Sequence, residues 1–218
     1  MRTIRITGTG RLKVHPDMTS IAIKLSGICS DYKAAMEELT SYTEEIKTAL
    51  IKLGFEKSSI KTLRYNLSEN YENYTEDNIR KQRFNGYYYS HFMQLNYESD
   101  NELLGKIHYS LYTCKSKPEI SVDFFVKDEE SNKRLLIANA VADSKAKAEV
   151  LTKAADVKLG EIQSIDYSWD TINMKVSRTM NVDHGDFGAF DMLNAIKCDI
   201  EPDDINLSDT VTVTWEIL

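Results

Sequence analysis

Asp183, His184, Asp186 and Asp191 crowd a polar stretch that also holds Gly185 and Gly188, and carboxylates mixed with an imidazole are what a divalent metal or an acid/base pair would use. Their spacing is neither that of an H-E-x-x-H pair nor that of an EF-hand, and Asp-rich loops are usually solvated turns, so we expect no metal there. A metal-dependent hydrolase built on Asp183, His184 and Asp186 stands as an alternative. Gly8-x-Gly10 could in principle cradle a phosphate. A dinucleotide fingerprint, however, needs its glycines between a strand and the start of a helix, with a third glycine behind. Another strand pattern follows here, so the glycines read as a bulge or a tight approach between strands.

Cys29, Cys114 and Cys198 are odd in number, far apart and without C-x-x-C or Cys/His ligand spacing, which suits reduced thiols in a reducing compartment. A thiol-based stress sensor would require one of them to be accessible and of low pKa; buried structural thiols are the default reading. His15 precedes Pro16 in a turn, His91 lies in a strand pattern and His108 in a helical one, positions typical of satisfied or exposed histidines. No G-x-S-x-G elbow is present. We therefore expect no catalytic, cofactor-binding or metal-binding residues and no enzyme activity.

The most unusual chemistry is aromatic. Tyr65, Tyr71, Tyr74, Tyr87, Tyr88, Tyr89 and Tyr97 fall in one stretch of a chain that has 12 tyrosines. On a strand Tyr87 and Tyr89 point one way and Tyr88 the other, so both faces cannot be solvent-facing without exposing ring surface. A core on one side and a subunit contact on the other would satisfy both. We expect a homo-oligomer whose interface involves Tyr65, Tyr87, Tyr88, Tyr89 and Tyr97.

The composition sets the background. A chain of 218 residues, 42% hydrophobic and 28% charged, can bury a core without disulfides, and one domain spanning 1–218 is expected. The net charge of −7 disfavours nucleic acid, whose binding draws on Lys and Arg. The basic cluster Arg80, Lys81 and Arg83 is too small for an electrostatic footprint and suits a hairpin tip. The N-terminus alternates polar and apolar residues instead of forming a signal-like apolar run, and no stretch could span a bilayer, which predicts a cytoplasmic protein.

Alternation predicts strands around Ile4–Val14 and Ile21–Leu25, joined as a hairpin by Pro16-Asp17. A helix follows from an N-cap at Ser30 to a stop at Gly54. Ile60 to Tyr97 reads as a long hairpin. Ser99-x-x-Glu102 has capping-box spacing ahead of a short helix, and Ile120–Val126 alternates as a strand. Between about Glu129 and Val157, Ile137, Val141, Ser144, Ala148, Leu151 and Ala155 define a small-residue helical face suited to close packing on a sheet. Ile162 and Ile165 suggest a strand, about 170–206 is irregular, and Val211, Val213, Trp215 and Ile217 end the chain in its clearest strand. The order β-β-α-β-β-α-β-α-β-β implies an α+β fold: a mixed, mostly antiparallel sheet with helices packed on it.

In this order the chain resembles the SIMPL (DUF541) family, which shares a G-x-G then P-D opening, an Ala-rich helix ending in Leu-Gly and an alternating C-terminal strand. The matching residues are Gly8, Gly10, Pro16 and Asp17; Ala140, Val141, Asp143, Lys147, Ala148 and Leu151; Leu159-Gly160; and Pro202 followed by Val211, Val213 and Trp215. The resemblance implies an α+β fold, a tendency toward homo-oligomers and a biochemical role that is undefined, loosely linked to envelope or stress physiology. It carries across no catalytic residues. The Tyr-rich hairpin, the long polar segment before the last strand and the absence of a secretion signal depart from many members. The expected function is a non-catalytic binding or assembly module.

Overall fold

The structure, a computed structural model, describes residues 2–167, 175–178 and 202–218. Along the chain run β1 (Arg2–Val14), β2 (Met18–Cys29), α1 (Tyr32–Lys52), β3 (Ile60–Glu76), β4 (Ile79–Glu98), α2 (Asn101–Tyr112), β5 (Glu119–Phe125), α3 (Glu129–Ala154), β6 (Leu159–Asp166), β7 (Lys175–Arg178) and β8 (Ile205–Ile217). This is an α+β fold, with the strands divided between a three-stranded sheet of order β1-β8-β6 and a five-stranded sheet of order β3-β4-β2-β5-β7. The chain forms two compact units, Met1–Asp17 with Phe125–Val176 and Pro202–Leu218, and Met18–Phe124 with Ser177–Glu201.

In the first unit the terminal strands meet: β1 pairs antiparallel with β8 from Arg2↔Ile217 to Val14↔Ile205 without a register shift. The expected β1–β2 hairpin does not form, because β1 takes β8 and β2 takes β4 along its whole length. Alternation tells which face of a strand is buried but not which strand lies beside it, and the full-length ladders outcompete the short turn. Nor does a bulge interrupt β1 at Gly8 and Gly10.

What Gly8 and Gly10 accommodate is a helix. A Cβ on Gly8 would overlap the Ala140 carbonyl oxygen, and one on Gly10 that of Leu136. The backbone of α3 thus rests directly on β1. The buried face of α3 is Leu136, Ala140, Ser144, Ala148 and Thr152, one row of i, i+4 neighbours. The small-residue prediction holds through Ser144 and Ala148, whereas Leu151, expected inside, is 48% exposed. Ala140 and Ala148 pack with Ile6, Val211, Val213 and Trp215, and Leu136 with Val126, Ile205 and Leu207.

In the second unit α1 and α2 cover one face of the larger sheet. Ala35, Leu39, Thr43, Ile46 and Leu50 of α1 are buried, spaced four, four, three and four, the period of one helical stripe. They meet Ile21, Ile23 and Leu25 of β2 and Tyr89, Met93, Leu95 and Tyr97 of β4 in a single core, to which α2 adds Leu104, Ile107 and Leu111. The caps sit one residue later than the sequence suggested. Asp31 rather than Ser30 accepts from the Lys33 and Ala34 amides, and Asp100 rather than Ser99 accepts from Leu103. A carboxylate satisfies these amides and also opposes the positive helix end, an advantage serine lacks. Gly54, at φ +98°, follows the end of α1 as expected. The segment read as irregular contains β7, and β8 begins at Ile205, ahead of the predicted strand.

Candidate functional site

The predicted long hairpin is β3 with β4, closed by Asp77 and Asn78 at φ 52° and 61°, the left-handed pair of a two-residue type I′ turn. β2 pairs with β4 only as far as Cys29↔Tyr87, while β3 continues with β4 to Glu76↔Ile79. Beyond Tyr87 the sheet is therefore a two-stranded arm, with no described strand beside β4 on its other edge.

The two faces of the arm differ. One carries the cross-strand pairs Glu72↔Arg83 and Tyr74↔Lys81. There Arg83 donates to Glu72 at 2.9 Å and lies over the Tyr74 ring, and Lys81 reaches Glu76 at 2.7 Å. Lys81 and Arg83 of the basic cluster are thus paired with neighbouring carboxylates. The opposite face carries Tyr71↔Phe84 and Asn73↔Gln82, the first an edge-to-face contact at 5.8 Å and the second an amide hydrogen bond at 3.0 Å. Phe84 meets Tyr87 at 5.4 Å and Tyr87 meets Tyr32, at the start of α1, at 5.5 Å. Four rings therefore run from the arm to the end of α1. Tyr71, Phe84 and Tyr32 are each about half exposed, at 50%, 48% and 53%.

The predicted interface tyrosines separate accordingly. Tyr89 and Tyr97 are 1% and 8% exposed and belong to the core of their own unit, which removes them from any subunit contact. Tyr87 is half-buried beside that core, Tyr88 is half-buried, and Tyr65 is exposed and packs edge-to-face on His91 at 5.3 Å. Phe84 and Tyr32 were missed by a search for tyrosine density. Their signal is register: only pairing across the hairpin shows that Phe84 continues the Tyr71 and Tyr87 row.

Two polar clusters lie under α1. Glu38 accepts from Cys29 Sγ at 3.1 Å and from the Tyr89 hydroxyl at 2.8 Å. Burial, then the Glu38 hydrogen bond and its charge with that of Asp31, pushes the Cys29 thiol up to about 11, and burial with the same carboxylate raises Tyr89. Cys114 is also pushed up to about 11, by burial and Glu45. Both shifts run opposite to the lowered pKa that a nucleophilic or sensing thiol needs. His91 is 3% exposed and bridges Thr43 Oγ1 and Thr62 Oγ1, both at 2.9 Å, so its ring nitrogens are satisfied within the fold. His15 sits on the surface at 3.0 Å from Asp204, and His108 is half-buried on α2. Asp183, His184, Asp186, Asp191 and Cys198 lie outside the described residues. Among the described residues no group of His, Cys, Asp and Glu could hold a metal ion, and no helix is long and apolar enough to cross a membrane.

A protein-family model described as SIMPL, a protein of unknown function (DUF541), matches residues 4–215. The chain belongs to the SIMPL (DUF541) family. The match runs from β1 into β8, so it takes in the paired terminal strands and the Gly8-x-Gly10 seat of α3. No curated protein matches this SIMPL chain.

Proposed function

We propose that this SIMPL protein is a non-catalytic binding or assembly module that self-associates through the hairpin arm. The observation that carries the reading is the aromatic face of the arm, Tyr71 and Phe84 with Tyr87 and Tyr32 behind them, which no described element of its own unit covers. A two-stranded ribbon is marginal in water by itself, and half-exposed rings in a row gain most by being buried together. The face opposite, with its paired charges, suits solvent. Tyrosine and phenylalanine are enriched in subunit contacts for the same reason. Free Cys29 and Cys114 fit a reducing, cytoplasmic setting.

The test is the solution mass by size-exclusion chromatography with light scattering at tens of micromolar, followed by the Phe84→Asp variant. The expected result is an oligomer that shifts toward monomer in the variant while its circular dichroism is unchanged, because an unpaired charge is costly in a buried contact. A monomeric wild type, or an unchanged mass in the folded variant, overturns the reading.

A further inference from the structure

The outer edge of β1 is closed along half its length and open along the other half. Because β8 lies on one side only, the odd-numbered residues of β1 turn their backbone N–H and C=O groups away from the sheet. Side chains of α3 hook over that edge at every fourth position. Asn139 Nδ2 donates to the Arg11 carbonyl at 3.3 Å, Asp143 Oδ2 accepts from the Thr9 N–H at 2.7 Å, and Lys147 Nζ donates to the Thr7 carbonyl at 3.2 Å. Such hooks are how a sheet edge is kept from pairing with another chain.

The next residue in the row is Leu151. It cannot hydrogen-bond, it is 48% exposed, and with it the protection ends. From the Thr7 N–H through Arg5 to Thr3 the outward backbone groups of β1 have no partner among the described residues. Beside this open stretch lies a groove of about 510 Å³ floored by Ile6, Ala146, Val150 and Leu151 and bordered by Arg5 and Lys147. Val150 is 68% exposed, more than a valine gains from facing water. Unpaired strand groups next to an apolar trough are the two things an added strand needs: backbone hydrogen bonds for affinity, and a place for alternate side chains.

We propose that the open half of the β1 edge binds an extended peptide segment of another protein, with apolar residues alternating with acidic ones. In an added strand, every second side chain would enter the groove over Val150 and Leu151. The others would fall beside Arg5 and Thr7 on the far face, where Arg5 is held, among the described residues, by an exposed pair with Asp166 at 3.3 Å and can turn to a new carboxylate. The same arginine argues against a second copy of this chain. Two-fold pairing centred on the open stretch would place Arg5 directly opposite Arg5, and like charges at that spacing destabilise a ladder. The site is independent of the hairpin arm.

A displayed library of random eight-residue peptides, selected on the full chain, tests this. The expected result is enrichment of apolar and acidic residues in alternation. Synthetic peptides of that pattern should lose at least tenfold in affinity on Leu151→Asn, which extends the polar hooks by one position, and on Val150→Lys, while Phe84→Asp leaves them unaffected. Arg5→Glu should switch the selected charge from acidic to basic. Circular dichroism and the urea midpoint confirm that each variant is folded. Selection without alternation, or peptides that bind the Leu151→Asn and Val150→Lys variants as tightly as wild type, overturns the proposal. So does a wild-type dimer that Leu151→Asn converts to monomer, which would assign the edge to a second copy.

Discussion

A methyl group on Gly8 would run into the carbonyl oxygen of Ala140, and that contact fixes how closely α3 lies on β1. Helix and strand backbones touch there. The neighbouring Ser144 amide and Cβ leave no space to either side, at 2.5 and 2.8 Å from the same point. Because the obstruction is backbone and not the end of a flexible side chain, accommodating a side chain requires the helix itself to move.

Gly8→Ala should therefore destabilise the first unit by about 3 kcal/mol, the upper range for overpacking a tight contact. Gly54→Ala is the contrast: nothing lies within 4 Å of its Cβ, and only the φ of +98° opposes the change, so the loss should be about 1 kcal/mol. Urea unfolding of both variants measures this. Equal losses would show that α3 yields without strain.

The turn of the arm can be improved. Asp77 and Asn78 both hold positive φ, which glycine adopts at no steric cost, so Asn78→Gly should stabilise the arm by about 0.5 kcal/mol and Asn78→Val weaken it by about 1 kcal/mol. Hydrogen exchange of the amides from Tyr71 to Phe84 is the readout, since the arm can open without global unfolding.

Much of the fold was legible because burial follows period. The long hairpin, the stripe of α1, the small face of α3 and the terminal strand each repeat an apolar residue at the spacing of their own secondary structure. What period cannot carry is partnership: β1 with β8 is a contact between the two ends of the chain, and nothing in either strand names the other. The arm was half legible. Tyrosine density pointed to it, but the division into buried Tyr89 and Tyr97 and exposed Tyr71 and Phe84 depends on where β2 stops and α1 begins. Capping residues were misplaced by one because Ser30-Asp31 and Ser99-Asp100 each offer two N-cap types side by side, and the choice is electrostatic.

The thiols should be sluggish. Cys29 at about 11 against an ordinary 9.0 carries about a hundredfold less thiolate near pH 8, partly offset by the greater nucleophilicity of a more basic sulfur. Native alkylation by iodoacetamide should run about tenfold slower than for a free thiol of ordinary pKa, and Glu38→Gln should recover part of the difference. Mass spectrometry of the modified peptides follows both Cys29 and Cys114. Rapid labelling of Cys29 in the native protein would restore the sensor reading.

Stability should fall on mild acidification, and His91 is the group to watch. Burial and then the Lys47 charge lower its pKa below the ordinary 6.5, and burial lowers His108 as well. Between the folded and unfolded pKa values the unfolded chain binds more protons, so stability rises with pH in that window. It is fully present above about pH 6.5, declines as the pH falls below that value, and levels off once the folded imidazole also protonates. Each histidine can contribute a slope of at most about 1.4 kcal/mol per pH unit. Asp128, Asp143 and Asp204 are lowered too, from 3.8, by their hydrogen bonds, so what they contribute is present above about pH 3.8 and is lost as the pH falls below it. Urea midpoints at about pH 7.5 and about pH 5 should differ in the wild type, and the difference should shrink in His91→Gln, whose amide can still meet Thr43 and Thr62 but cannot titrate. A wild-type midpoint that holds steady across this range would show that His91 gains its proton in the fold as readily as in the open chain.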